Sequence, residues 1–298
     1  MIINTEKCNP QTTNIDLADG VKIAELINNE DTKVALAVQK ILPQIGFAIE
    51  QIAERMKIGG RMAYFGSGTS GRIGILDASE MPPTFGVSPT LVQAYISGGD
   101  KALRFAVENA EDRADLAEQD FADFNAKAED IVVSISASGN PQYGVKVLEL
   151  AKQKKCLTIA ITSNPQAMLK KFADIFLCAE VGPEAITGSS RMKAGTAQKM
   201  ILNMLSTGAM IKLGKVYQNY MIDLQINNAK LYKRAIRFVQ EITGADEFTA
   251  KKALNKSNHV ATACIMIIKN CDKITAQNLL KQQGGILRKI IKFKENKE

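Results

Sequence analysis

The residues best suited to chemistry begin with a glycine and hydroxyl run, Gly66-Ser67-Gly68-Thr69-Ser70-Gly71. A short apolar run precedes it and an apolar helical pattern follows. That order predicts a buried strand, a tight loop and a helix N-terminus. The glycines let backbone N–H groups approach a ligand, and Ser67, Thr69 and Ser70 add hydroxyl donors. The helix end adds partial positive charge. Such a loop suits an anion. It lacks the lysine of a Walker A loop and the acidic partner of a dinucleotide fingerprint. The anion it implies is therefore the phosphate monoester of a small molecule. A second run repeats the chemistry: Ser134-Ile-Ser136-Ala-Ser138-Gly139-Asn140-Pro141. A third polar stretch puts Ser190, Arg191 and Lys193 at the start of another helix.

Acid–base chemistry falls to carboxylates, because the chain has one histidine. Glu80 precedes Met81-Pro82-Pro83, and the residue before a proline is pushed out of helical geometry. A helix from Ser70 should therefore end near Glu80. There the negative end of the macrodipole, with burial beside Met81 and Phe85, would raise its pKa and suit it to a general acid. Read without a family, the same residue is a frayed surface glutamate. Glu111 sits in the charged segment Val107-Glu-Asn-Ala-Glu-Asp-Arg113, which on its own reads as a solvated helix face. Glu108, three residues earlier, shares that face.

Five short apolar runs, at 62–65, 91–96, 131–135, 157–161 and 175–178, are mostly separated by helical segments. Strands alternating with helices predict a parallel sheet buried on both faces, with ligands at the carboxyl ends of its strands. Both hydroxyl runs follow such ends, so both are expected at one crevice. Before the sheet come a polar arm and a short helix over 21–27, broken by Asn28-Asn29-Glu30-Asp31. Thr32 is placed to cap a second helix, which Pro43 would kink. The chain after 217 reads as helical throughout, with His259 as a capping or packing residue.

At 298 residues and 46% hydrophobic content, the chain is long enough for one α/β core and a smaller unit. The formal charge is +7, spread along the chain with a mild excess at Lys289, Lys292, Lys294 and Lys297. With 6% aromatics and no tryptophan, this is not the basic, aromatic-laced stripe of a nucleic-acid binder. Cys8, Cys156, Cys178, Cys264 and Cys271 show no C-x-x-C spacing, so neither a metal site nor a disulfide framework is expected. Cys156 and Cys178 read as core residues. A polar N-terminus and the lack of a long apolar run predict a cytoplasmic protein away from membranes.

The run from Gly66 to Arg72, continuing through Leu76-Asp-Ala-Ser-Glu80 and Pro82-Pro83, resembles the N-acetylmuramic acid 6-phosphate etherases of the sugar isomerase (SIS) domain superfamily. The likeness continues in Gly98-Gly99, Ala110-Glu-Asp112, Ser136-Ala-Ser-Gly139 and Thr187-Gly-Ser-Ser-Arg-Met-Lys-Ala-Gly-Thr-Ala-Gln-Lys199. It implies a parallel-sheet, three-layer α/β/α SIS domain over 51–214. A helical lead-in over 1–50 and a small helical unit over 215–298 flank it. It also implies a sugar phosphate held by Ser67, Thr69, Ser70, Ser136, Ser138, Ser190 and Lys193, with no cofactor and no metal. Glu80 and Glu111 become the catalytic pair that eliminates D-lactate and allows water to add. Glu80 is taken as the acid and Glu111 as the base, the two roles being exchangeable. A non-catalytic sugar-phosphate sensor and an aldose–ketose isomerase are the alternatives. A helix from Ser70 to Glu80 is roughly 15 Å long at about 1.5 Å per residue. The resemblance thus implies a homodimer in which each site draws Glu80 from the neighbouring chain.

Overall fold

The five apolar runs pair as one parallel sheet in a computed structural model that describes residues 4–291. Lys292, Lys294 and Lys297 of the basic excess lie outside the described residues. Helices α1 (Gly20–Gln39) and α2 (Leu42–Lys57) precede the sheet. Then come β1 (Met62–Gly66), α3 (Gly68–Phe85), β2 (Val92–Ile96), α4 (Lys101–Arg104), α5 (Ala114–Phe124) and β3 (Ile131–Ile135). They are followed by α6 (Gln142–Gln153), β4 (Leu157–Thr162), β5 (Ile175–Cys178) and α7 (Lys193–Lys212). The strand order is β2-β1-β3-β4-β5. β1, β3 and β4 are buried along their whole lengths, so their sequences show apolar runs rather than alternation.

Helices cover both faces. On one, Ala63, Phe65 and Val132 pack with Phe121 and Phe124 of α5 and with Val147 and Leu148 of α6. Phe65 and Tyr95 stack there, with ring centroids 4.9 Å apart. Tyr64, one residue along and so on the other face, meets α3. Its hydroxyl donates to Asp77 Oδ2 at 2.8 Å. α3 lies close to β1, since a Cβ at Gly71 would stand 2.6 Å from both the Gly66 carbonyl oxygen and Ile96 Cγ1.

Four local expectations are corrected. α1 runs unbroken through Asn28 to Asp31. Its buried face of Glu30, Val34, Ala37 and Val38 outweighs the weak helix formers. Thr32 does not cap a new helix; its hydroxyl donates back to Asn29 O at 2.8 Å. The real break is at Lys40 and Ile41, which places Pro43 in the first turn of α2, where its missing N–H has no ladder partner to lose. Nor does α3 stop at Glu80. It continues through Pro82 and Pro83 to Phe85. Only the last turn loses ladder bonds, and buried Met81 and Phe85 hold that turn down.

The chain divides into two compact units. One comprises residues up to Ser79 with Pro89–Thr207, the other Glu80–Ser88 with residues from Gly208 onward. The second unit is not helical throughout. β6 (Val216–Tyr217) and β7 (Tyr220–Met221) form a small antiparallel pair before α8 (Ala229–Thr243), α9 (Glu247–Ser257), α10 (Val260–Lys269) and α11 (Lys273–Gln282). Asn228, Asp246, His259 and Asp272 cap these four helices through their side chains. His259 also lies with Nε2 2.8 Å from Asp223 Oδ1, and Lys215 Nζ is 2.7 Å from Asp223 Oδ2. Among the described residues no helix is long and apolar enough to cross a membrane.

The close approach of α3 to β1 predicts opposite effects at two helical glycines. Gly71→Ala should destabilise the protein by about 1–3 kcal/mol through overpacking. Gly46→Ala in α2, with nothing within 4 Å of its new Cβ, should stabilise by about 0.5–1 kcal/mol. Urea unfolding of both variants measures this; a Gly71→Ala protein as stable as the parent contradicts the close packing.

Candidate active site

A cavity of about 340 Å³ opens where β1 and β3 end. Ser67, Gly68, Thr69 and Ser70 line it from the β1–α3 junction, and Ser136, Ala137 and Ser138 from the turn after β3. Gly188 and Ser190 enter from the loop before α7, Glu111 from a 3-10 turn, and Thr5 and Glu6 from the N-terminal arm. The first turns of α3 and α6 both reach this cavity, so two helix N-termini favour an anion in it.

The hydroxyls are set up to donate. Ser67 Oγ is buried without a hydrogen-bond partner. Such a group is costly unless something polar arrives to meet it. Ser136 Oγ accepts from the Gly139 N–H at 3.0 Å and Ser138 Oγ from the Asn140 N–H at 3.4 Å. Accepting in this way leaves each hydroxyl proton free for a ligand. Ser70 is engaged internally, donating to Gln198 Oε1 at 3.0 Å, and so ties the loop to α7.

Glu111 lies in the 3-10 turn Ala110–Asp112. Ser97 Oγ holds that turn by donating to Ala110 O at 2.5 Å. Arg72 of α3 steadies the preceding segment, with Nε donating to Leu103 O and Nη2 to Phe105 O. Glu111 also borders an adjoining cavity of about 230 Å³, which Ser67, Arg72 and Glu108 share. Glu108 lines that second cavity and not the first.

Glu80 is not a lining residue. It is exposed, not buried beside Met81 and Phe85 as expected. It stands twelve residues beyond Gly68 on an unbroken helix, about 18 Å at the helical rise. Lys193 also departs from expectation, being buried and absent from the lining. Its Nζ lies 2.6 Å from Glu30 Oε2, while its N–H and that of Ala194 donate to the Glu184 carboxylate at 2.8 and 3.0 Å. Glu184 thus caps α7, and Lys193 holds α7 to α1. Burial pushes the Glu30 carboxyl up, but hydrogen bonds from Lys193, Lys33 and Asn9, with the Lys193 charge, hold it down at about 2. Burial pushes Glu184 up, against the lowering effect of its two backbone donors. Arg191 is exposed.

Sequence reading missed Thr5, Glu6 and Tyr143 as cavity residues. Thr5 and Glu6 fall in a polar arm without periodicity, and Tyr143 lies just beyond the second hydroxyl run. The Tyr143 hydroxyl donates to Asp120 Oδ2 at 2.6 Å. Burial first, then the Asp120 charge and hydrogen bond, push that phenol far above its ordinary range. Among the described residues no group of three or more His, Cys, Asp or Glu is placed to hold a metal ion.

The sheet order and paired hydroxyl loops define an SIS-type α/β domain. Residues 44–165 match the glucokinase regulatory protein N-terminal SIS domain family, and residues 218–262 match the C-terminal lid domain of glucokinase regulatory protein. The solved structure of a ligand complex of an E. coli CFT073 protein shares the fold, with a TM-score of 0.50 at 17% identity over 68% of this chain and 97% of that one. Whole-chain similarity is far higher elsewhere. The chain is 50% identical to the N-acetylmuramic acid 6-phosphate etherase of Caldanaerobacter subterraneus subsp. tengcongensis, over 98% of its own length and 95% of the relative. It is 47% identical to that of Glaesserella parasuis, over 94% and 93%. The chain belongs to the N-acetylmuramic acid 6-phosphate etherase family.

The buried pair predicts a stability defect for Lys193→Met. Removing one partner of a buried ion pair typically costs about 3–5 kcal/mol, and the double variant Lys193→Met/Glu30→Leu should recover most of it. The pH dependence has a fixed sign. Because Glu30 falls from its ordinary 4.5 to about 2, its stabilisation is present above pH 4.5 and lost as pH falls through about 2. Chemical denaturation of both variants at neutral and acid pH checks this; an unchanged Lys193→Met stability contradicts the structural role.

Proposed function

We propose that this chain is a carbon–oxygen lyase acting on N-acetylmuramic acid 6-phosphate, in the cytoplasm and without a nucleic-acid or membrane partner. It releases D-lactate and leaves N-acetylglucosamine 6-phosphate. The observation that carries this reading is the 50% identity to a named etherase across 98% of the chain. The site supports it chemically. Ser67, Thr69, Ser136, Ser138 and Ser190 face the cavity for the 6-phosphate, with the α3 and α6 N-termini behind it.

The reaction needs an acidic proton at C2, which the open-chain aldehyde provides. Glu111 takes that proton, the C2–C3 double bond forms, and the C3–O bond to lactate breaks. Glu80 protonates the departing lactate oxygen, and water then adds at C3. The aldehyde receives the electrons, so carboxylates suffice as the protein's acid and base. Glu80 of the same chain lies about a dozen helical residues from the phosphate loop. The reading therefore assigns it to the site of a neighbouring copy, in a symmetric dimer.

The matches to glucokinase regulatory protein domains favour one competing reading, a sugar-phosphate sensor without turnover. Lactate release from the muramate substrate separates the two. A protein that binds the substrate but releases no lactate defeats the lyase reading. In the same assay, Ser67→Ala and Ser138→Ala should each weaken substrate binding by about 10- to 100-fold, from 1.5–3 kcal/mol per charge-assisted hydrogen bond. Unchanged affinity in both variants removes the phosphate assignment.

The dimer makes a separate prediction. Glu80→Ala should be nearly inactive alone, and Ser138→Ala should lose most of its activity at substrate concentrations well below its raised Kd, where the mixing is done. After subunit exchange, mixed dimers hold one pocket with both wild-type residues, so activity should partly return. No recovery despite demonstrated exchange would place Glu80 and the phosphate loop in the same chain.

A further inference from the structure

Elimination at C3 requires an open ring, because only a free aldehyde acidifies the C2 proton. Opening the pyranose takes a proton from the O1 hydroxyl and delivers one to O5, a demand met by general acid–base catalysis. The following inference rests on the etherase reading above, since it concerns the step that reading requires first.

Among the described residues, the ionisable side chains that line the cavity are Glu6, Glu111 and Tyr143. Tyr143 is committed to Asp120 at 2.6 Å and holds its proton too tightly to exchange it near neutral pH. Glu111 is assigned to C2. His259, the one histidine, caps α10 and contacts Asp223, and does not line the cavity. Glu6 is the carboxylate left without a task.

Its placement is built by the arm. Thr5 beside it is buried, at 1% exposure. Asn9 Nδ2 donates to Pro183 O at 3.3 Å, and Thr12 Oγ1 donates to Ala185 O at 2.7 Å. These bonds fix the arm to the segment that leads into Gly188. Glu6 Oε2 lies 3.1 Å from where a Cβ on Gly188 would stand, so the carboxylate rests against the loop that faces the cavity. Glu6 makes no ion pair among the described residues. A carboxylate repels a phosphate; at a phosphate-binding cavity its favourable partners are the hydroxyls of the sugar.

We propose that Glu6 opens the sugar ring. Its carboxylate takes the O1 proton, the O1 electrons form the C1 carbonyl, and the C1–O5 bond breaks. The alkoxide at O5 then takes the same proton from Glu6. Proton count is unchanged and the carboxylate is regenerated, so no co-reactant is needed.

Anomer interconversion tests this apart from elimination, because it needs ring opening but breaks no bond at C2 or C3. The probe is N-acetylglucosamine 6-phosphate, with exchange between its α and β anomers followed by NMR magnetisation transfer. The wild-type protein should accelerate exchange. Glu111→Gln should keep that acceleration while losing lactate release. Glu6→Gln should lose about 100-fold of it, lower kcat for lactate release, and retain substrate affinity and thermal stability. Three results overturn the proposal: no acceleration by the wild type, wild-type acceleration by Glu6→Gln, or loss of acceleration in Glu111→Gln with Glu6 intact. A wild-type protein that speeds anomer exchange yet releases no lactate instead overturns the etherase reading.

Discussion

The parallel pairing of β1 with β3 is the constraint on which the site depends. Gly66 stands level with Ile135 in that register. The next residues, Ser67 and Ser136, therefore leave the sheet side by side. A register shift would send the two hydroxyl loops to different heights and turn their inward-facing residues outward. β1 is also the strand at which the order reverses, with β2 on one side and β3 on the other. The connections after β1 and β3 diverge there, opening a crevice at their carboxyl ends. The α3 and α6 N-termini reach that crevice because each helix starts within a few residues of its strand.

A second layer of order comes from charges buried away from the cavity. Glu184, fully buried, accepts the N–H groups of Lys193 and Ala194. These are donors that the first turn of α7 would otherwise leave unsatisfied. Lys193 then reaches Glu30 on α1. The loop between Glu184 and Lys193 is held at both ends, and it carries Gly188 and Ser190 to the cavity. Buried ion pairs are poor sources of net stability, but breaking one is expensive. Their effect here is to allow one conformation of that loop and to penalise the others.

These features were unequally legible in the sequence. The strands could be read because fully buried parallel strands leave continuous apolar runs, and both hydroxyl loops because they follow such runs directly. Lys193 could not be placed, since a lysine at a helix start looks the same whether it meets a ligand or a buried glutamate. Its partner Glu30 lay in a polar stretch that argued for a break in α1, and only tertiary burial shows otherwise. Pro82 and Pro83 misled by their local rule. That rule gives way when apolar Met81 and Phe85 pack firmly enough to retain the last turn. Glu6 left no local signal. Its arm is positioned by hydrogen bonds to residues more than 170 positions away in the chain.

The length of α3 bears on assembly. Its N-terminal half is fixed to β1 by the close approach at Gly71 and by the Tyr64–Asp77 hydrogen bond. Ser206 adds a second donor to Asp77, at 3.2 Å. Burial raises the Asp77 pKa, and the hydrogen bonds from Tyr64 and Ser206 work against that rise. α3 runs without a break through Gly74 and Asp77. Twelve residues separate Gly68 from Glu80 along it, about 18 Å at the helical rise. A hexose phosphate is shorter than that span. On the proposed mechanism, an acid at Glu80 and a phosphate at Ser67 act on one substrate only if they come from different chains. The length of α3 is thus, on that mechanism, the physical argument for a second chain.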